Sequence, residues 1–372
     1  MRITIEPNSD SYAVSKVSCG RDHTLALLSN GKVIGWGGDG SGRIPAMSPE
    51  YCTTIAPVHA VEVLLEVPLT TIAAGEGISL GVTKRRELIA WGAHGAGIGG
   101  AIGALAPATP LAIGELKEIH VAAAGEFQCA AIDEGGVLFT WGLDVDGALG
   151  RKDTAHDPAP RRVGGMPSAK LVSIGRGFML AGTRDGALYA WGSNAAGQLG
   201  VGDLHSCDAP TRVHIAAHVR AVAAGASHAL AITDAGEVRA WGSNNHGQLG
   251  RDQPKYSATP VAVTLPERAQ AVAAGMFFSL ALGESGHVYA WGWNARGQLG
   301  QSDDQDRSQP VRVPDVAGVI AIAAGQAHAV ALTSSSLVGW GSNAAGQIGG
   351  ADREQRHPLM LVATSSKETL HA

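Results

Sequence analysis

The sequence predicts an all-β ring, a seven-bladed β-propeller of four-stranded blades, and three observations carry that prediction. A Trp-Gly pair recurs at Trp36, Trp91, Trp141, Trp191, Trp241, Trp291 and Trp340, with separations of 55, 50, 50, 50, 50 and 49 residues. A glycine stands in fixed register ahead of each pair, at Gly20, Gly75, Gly125, Gly175, Gly225, Gly275 and Gly325. Between glycine and tryptophan the chain alternates and turns, as in Gly225-Ala-Ser-His-Ala-Leu-Ala-Ile-Thr followed by Gly236-Glu-Val-Arg-Ala-Trp-Gly, which reads as strand, tight turn, strand. A unit of this length cannot bury its apolar face alone and must stack on its neighbours, and seven such units close a ring.

The remaining elements of each unit follow in order. After the tryptophan comes Gly192-Ser-Asn-Ala-Ala-Gly-Gln-Leu-Gly200, repeated at 242–250, at 292–300 and, with Gln-Ile-Gly, at 341–349, where the glycines mark turns. A further strand surrounds Pro-x-x-Val or a variant of it, at Pro110, Pro160, Pro210, Pro260 and Pro310. The last tryptophan unit is followed by His357-Pro358-Leu-Met-Leu361-Val362, a good copy of that strand, whereas nothing before Gly20 matches it. The expectation is therefore that a C-terminal strand, about 358 to 363, joins the N-terminal blade begun by residues 13 to 37 and seals the ring without free sheet edges. The domain reading is an N-terminal extension 1–12, one propeller 13–363 and a C-terminal tail 364–372.

Composition agrees with a ring of short buried strands: 45% of the 372 residues are hydrophobic and 16% charged. The net charge of −5 and the absence of a basic block longer than Lys84-Arg85-Arg86 argue against nucleic acid as a partner. No signal-peptide core and no run of about 18 apolar residues is present, so no membrane association is expected and the expected compartment is the cytoplasm, with specialised export left open. Cys19, Cys52, Cys129 and Cys207 form no Cys-x-x-Cys pair, which predicts neither zinc nor a disulfide framework. The glycine-rich stretches Gly38-Asp-Gly40-Ser-Gly42 and Gly95 to Gly100 do not sit between a strand and a helix, and no zincin or nucleophile-elbow motif occurs. No catalytic residues, metal or cofactor are expected, and a closed ring without edges is expected to be a monomer.

Antiparallel order puts two connections on one face: the short Gly-x-x-His turn and the long loop that follows the tryptophan. Length and variety concentrate there, which is where binding resides on a rigid scaffold. The recurring Trp36, Trp91, Trp141, Trp191, Trp241, Trp291 and Trp340 are read as packing residues, because a strand-end aromatic present in every unit has a blade to fill. Trp293 is the only additional tryptophan, and it joins Phe127, Phe178, Met276, Phe277 and Arg296 as an aromatic, Met and Arg set of the kind that anchors protein partners. Asp22, Asp39 and Asp144, with Asp146, bring acidity to the same rim. His228 and His328, with His23, are candidates both for partner contact and for hydrogen-bonded elements of the turn, the second use being the commoner for a recurring histidine.

Trp191-Gly-Ser-Asn-Ala-Ala-Gly-Gln-Leu-Gly200, Trp241-Gly-Ser-Asn-Asn-His-Gly-Gln-Leu-Gly250 and the Ala-Ala-Gly-x-x-His units at Ala223 to His228 and Ala323 to His328 closely resemble the repeats of the regulator of chromosome condensation family, over about residues 13 to 363. The resemblance implies a seven-bladed propeller, here a bacterial-type member with compact regular repeats. Its members range from an exchange factor for the GTPase Ran to bacterial inhibitors and effectors, and fold alone does not choose among those. For the exchange factor the resemblance implies a face of Asp, Asn and His residues, matched in type by Asp39, Asp144, Asn194, Asn244, His228 and His328. It also implies an inserted hairpin wedge, for which four consecutive 50-residue spacings leave no room, and a basic tail, which this chain lacks. The function expected is thus a non-catalytic ring that binds a protein partner on the Trp-Gly-x-Asn loop face. The alternatives are a guanine nucleotide exchange factor for a small Ran-like GTPase, and an inhibitor or immunity-type protein against a secreted enzyme.

Overall fold

In the computed structural model, residues 13–38, 44, 61–63, 65–92, 110–114, 116–152, 156–349 and 359–363 are described. They form seven four-stranded antiparallel sheets and no helix. Blade 1 consists of Val14–Cys19, His23–Leu28, Val33–Gly37 and Val61–Val63, each strand pairing with the next. Blades 2, 3 and 4 occupy residues 69–112, 119–162 and 169–213 in the same order. Blade 5 runs Val219–Ala224, His228–Thr233, Val238–Ser243 and Tyr256–Val263; blade 6 runs Ala269–Ala274, Phe278–Gly283, Val288–Gly292 and Arg307–Arg312. Blade 7 runs Val319–Ala324, His328–Thr333, Ser336–Gly341 and Leu359–Ala363.

One expectation is corrected here. The C-terminal strand does not join the N-terminal blade: Ser336 pairs with Ala363 and Leu337 with Val362, so it completes blade 7. Blade 1 takes its own fourth strand from Val61–Val63, which pairs with Val33–Gly35. The physical reason is that each outer strand hydrogen-bonds back onto the tryptophan strand preceding it in the chain. In blade 1 that strand is a short Val-Glu-Val without the usual Pro-x-x-Val mark. Among the described residues every blade is therefore drawn from one stretch of chain, and no ladder is shared between blades 7 and 1.

The first strand of each blade faces the central channel, and the core lies between adjacent sheets. The repeat tryptophans fill it: Trp36 is 5% exposed and the other six are fully buried. Five of them are seen to stitch one blade to the one before it. The indole Nε1–H of Trp191 donates to Ala148 O at 2.9 Å, that of Trp241 to Gln198 O at 2.9 Å, that of Trp291 to Gln248 O at 2.9 Å and that of Trp340 to Gln298 O at 3.0 Å. Trp36 closes the circle on Gln347 O at 3.0 Å. The acceptor carbonyls belong to the Gly-Gln-Leu-Gly turns or their equivalent. The turns are themselves braced from within: Asn194 accepts the Leu199 N–H at 3.0 Å, and Gln198 accepts that of Ala196 at 2.9 Å. The two repeated phrases are thus donor and acceptor of one bond between neighbouring blades, which satisfies a buried indole.

The position after Gly-x-x varies as His23, Ile78, Gln128, Phe178, His228, Phe278 and His328, and the neighbouring blade decides it. The imidazole Nε2 of His23 meets Ser79 Oγ at 3.3 Å, that of His228 meets Ser279 Oγ at 3.0 Å and that of His328 meets Thr24 Oγ1 at 3.1 Å. Ser279 Oγ donates onward to Gln248 O at 2.8 Å and Thr24 Oγ1 to Gln347 O at 2.8 Å, so each hydroxyl accepts from a neutral Nε2–H. Where the next blade offers Cys129, Met179, Ala229 or Ala329 instead, the position holds Ile78, Gln128, Phe178 or Phe278. Gln128 turns its amide to Leu143 O at 2.8 Å. Three seams are thus polar and four are packed without a cross-blade hydroxyl.

The glycine ahead of this position has a steric reason. A Cβ on Gly225 would lie 2.3 Å from His228 Cε1 and 2.6 Å from the Gly275 carbonyl, closer than real Cβ atoms come.

Candidate protein-binding face

The Gly-x-x turns and the tryptophan loops share one face, as the sequence implies. The Trp293 N–H donates to Phe277 O at 2.9 Å, Leu143 N–H to Phe127 O at 2.9 Å and Ser243 N–H to Ser227 O at 2.8 Å. These bonds set each turn beside the loop of its own blade. At the centre, backbone bonds run between blades: Glu76 N–H to Gly125 O at 3.0 Å, Met276 N–H to Gln326 O at 3.0 Å and Gln326 N–H to Arg21 O at 3.3 Å. They rim a cavity of about 400 Å³ at the channel mouth, floored by Cys19, Ile174 and the ring of alanines.

Half of this mouth is charged. Arg21 pairs with Glu76, and Arg176 Nε with Glu126 at 2.9 Å, across blades 1 to 4. Burial raises the Glu126 carboxyl above the ordinary range, the charge of Glu76 adds to the rise, and Arg176 opposes it. Blades 5 to 7 carry Ala226, Met276 and Gln326 at the same position.

The aromatic candidates divide. Phe277 and Trp293 meet edge to face with centroids 6.0 Å apart, and His246, from the loop of blade 5, joins them at 5.4 Å and 6.1 Å. His246 is held by Asp306, Nδ1 to Oδ2 at 2.8 Å, and Asp306 Oδ1 accepts the Asn294 N–H at 2.9 Å. All three rings are partly exposed, with Met276 partly exposed and Arg296 exposed nearby in sequence. On blade 3, Phe127 in the Gly-x-x turn is 40% and Val145 in the tryptophan loop 37% exposed. His246, Asp306 and Val145 were not singled out from the sequence: each lies in a loop whose partners belong to a neighbouring blade or turn.

Other candidates are corrected. Phe178, His228 and His328 are fully buried in the seams between blades, so their side chains do not reach a partner on this face. Asn194 and Asn244 are buried loop braces, and half-buried Asp144 takes the same role by accepting the Leu149 N–H at 2.9 Å. Asp22 is half-buried and Asp146 exposed, the latter bonded to the Ser193 hydroxyl. Asp39 lies outside the described residues. Among the described residues no group of three or more His, Cys, Asp or Glu is placed to hold a metal ion, and no helix is long and apolar enough to cross a membrane.

A ring of seven four-stranded blades, with indole-to-turn bonds between neighbours and its variation gathered on one loop face, defines the class as a seven-bladed β-propeller. The profile of the RCC1-like domain matches residues 97–371, and that of the regulator of chromosome condensation (RCC1) repeat matches 14–43. The chain belongs to the RCC1-like domain family. Among solved structures, human WBSCR16 superposes with a TM-score of 0.79 at 22% identity, covering 87% of this chain and 88% of that one. Prp20p of Saccharomyces cerevisiae, described together with its binding to Gsp1p and histones, gives 0.73 at 23% identity over 84% and 80%. Likeness at this level of identity establishes the fold. Curated relatives include the Homo sapiens probable E3 ubiquitin-protein ligase HERC6, 31% identical over 111 residues, and the Arabidopsis thaliana mitochondrial RCC1 domain-containing protein RUG3, 31% identical over 86. The matched stretches span 29% and 23% of this chain but only 11% and 19% of those proteins.

Proposed function

We propose that this chain is a non-catalytic ring that captures a protein partner on its tryptophan-loop face. The observation that carries the reading is the Phe277, Trp293 and His246 cluster, partly exposed across the junction of blades 5 and 6. No blade needs it for its own fold, since Ser193, Ser243 and Ser342 occupy the position of Trp293 elsewhere. Aromatic anchors beside an arginine, surrounded by polar loops, are the composition of binding hot spots. Phe127 and Val145 supply a second contact on blade 3.

The alternative, nucleotide exchange on a small GTPase, draws on the fold shared with Prp20p. It is weakened because the Asn and His residues that the resemblance offers for it are buried braces of the scaffold. An inhibitor of a secreted enzyme is a special case of the first reading. Affinity capture under nucleotide-depleting conditions, comparing the wild type with a Phe127→Ala, Phe277→Ala, Trp293→Ala variant, separates them. A protein lost in the variant and indifferent to GTP supports the ring reading, and a GTPase released by GTP supports exchange. A partner retained by a folded variant overturns the choice of surface.

A further inference from the structure

The seam between blades 7 and 1 differs from the other six in connectivity. Elsewhere the chain passes from one blade to the next, whereas blade 7 does not run on into blade 1 and, among the described residues, the two share no ladder. The described polar contacts across it include His328 Nε2 to Thr24 Oγ1, Thr24 Oγ1 to Gln347 O, Trp36 Nε1 to Gln347 O, and the Gln326 N–H to Arg21 O. Around them pack Ala26, Ile34, Val330 and Leu332. Opening this seam breaks those links but no β-ladder within any blade.

We propose that His328 is an acid-sensitive latch, and that its protonation opens the ring reversibly at the 7/1 seam before the blades themselves unfold. His328 is fully buried, its Nε2–H is committed to Thr24, and its Nδ1 has no hydrogen-bond partner. A second proton on Nδ1 would place an unpaired charge and an unsatisfied donor in the core, which favours a state that exposes the ring to water. Burial alone lowers its proton affinity, to a pKa of about 3. Among the described residues no carboxylate offsets this. The titratable group beside Thr24 is the Cys19 thiol, 3.8 Å from its hydroxyl and pushed by burial up to about 12, so it stays neutral. Among the described residues Arg21, Asp22 and His23, on blade 1, and Gln326, on the turn of blade 7, also lie near the seam; Arg21 is committed to Glu76 and buried His23 turns its Nε2 to Ser79 of blade 2.

The repeat tryptophans provide one reporter per seam. Trp36 reads 7/1, whereas Trp241 and Trp340 read the 4/5 and 6/7 seams, which contain no histidine link. The test is indole N–H exchange followed by NMR at pH 7 and pH 5, corrected for the intrinsic rate. With a free imidazole near 6.5, opening at 7/1 rises about 25-fold over this interval. Trp36 should lose protection by that factor while Trp241 and Trp340 keep theirs. In His328→Gln the acid response of Trp36 should vanish; Gln128 shows that a buried glutamine fits this position. His228→Gln, at a seam the chain itself joins, should leave the response of Trp36 unchanged. Equal loss at all three indoles, no loss at Trp36, or an acid response that survives His328→Gln overturns the latch. If His328→Gln does not fold, the comparison of indoles within the wild type decides alone.

Discussion

Replacing Ser279 by Ala removes one hydroxyl from the polar seam between blades 5 and 6, and the structure sets the cost. That hydroxyl accepts from His228 Nε2 at 3.0 Å and donates to Gln248 O at 2.8 Å. Gln248 O keeps the Trp291 indole, so its loss is partial. His228 is fully buried and is left with an unsatisfied donor. A lost neutral bond plus that desolvation penalty destabilises the ring by about 2–3 kcal/mol. The same chain supplies the remedy, because Phe178 faces Ala229 and Phe278 faces Ala329 at equivalent seams. His228→Phe combined with Ser279→Ala recreates that pairing and should recover most of the loss, for a coupling energy of about 2 kcal/mol. Urea unfolding midpoints for the wild type, both single variants and the double variant measure it. A Ser279→Ala midpoint equal to wild type, or strictly additive losses, would refute the rule that the next blade chooses the residue.

Other consequences are open to measurement. Asp157 is buried in blade 3 between Arg151 Nη2 at 3.2 Å and Arg161 Nε at 2.7 Å, and Arg151 is itself buried. Asp157→Ala should therefore cost about 3–5 kcal/mol by stranding a buried cation, read as a lowered urea midpoint; a change under ~1 kcal/mol would mean the site is wet. Burial lowers the pKa of His228 to about 4 and that of His328 to about 3, so both bind a proton less readily folded than unfolded. Stability is then full above about pH 6.5 and falls as the pH drops, by about 3 kcal/mol per histidine at pH 4, which a series of melts in low-salt buffers checks. Cys129 is buried and burial raises its thiol pKa, so at pH 8 it should label far more slowly than partly exposed Cys207, with the difference lost in denaturant; peptide mass spectrometry reads it.

Much of the architecture is legible from sequence because a repeat states its period seven times. The strand, turn, strand reading around Gly225 and Gly236, the buried tryptophans and the shared face of turns and loops all follow from local pattern. Ring closure does not. Val61–Val63 and Leu359–Ala363 are short strands whose partner is fixed by hydrogen bonding rather than by their own residues, and a good Pro-x-x-Val copy at the C-terminus pointed to the wrong blade. The candidate face is legible in part. Phe277 and Trp293 stand out as departures from the repeat, but His246 and Asp306 look like ordinary loop residues until blades 5 and 6 are set side by side. The sequence left His228 and His328 open between partner contact and a bond within the turn and placed Phe178 among the contact residues, yet all three suit the residue opposite in the next blade.

The amino-acid sequence by itself determined the class of fold, the number of blades and the face on which variation collects, because those properties repeat with the chain. Only the tertiary structure decided which variable residues are free to meet a partner and which are spent joining blades. The reason is that each blade boundary brings together residues about 50 positions apart, and across the closing seam about 300, as with Thr24 and His328. The same separation leaves the 7/1 seam without the chain crossing that joins the other blades, so that the described residues hold it by hydrogen bonds and by the packing of Ala26, Ile34, Val330 and Leu332.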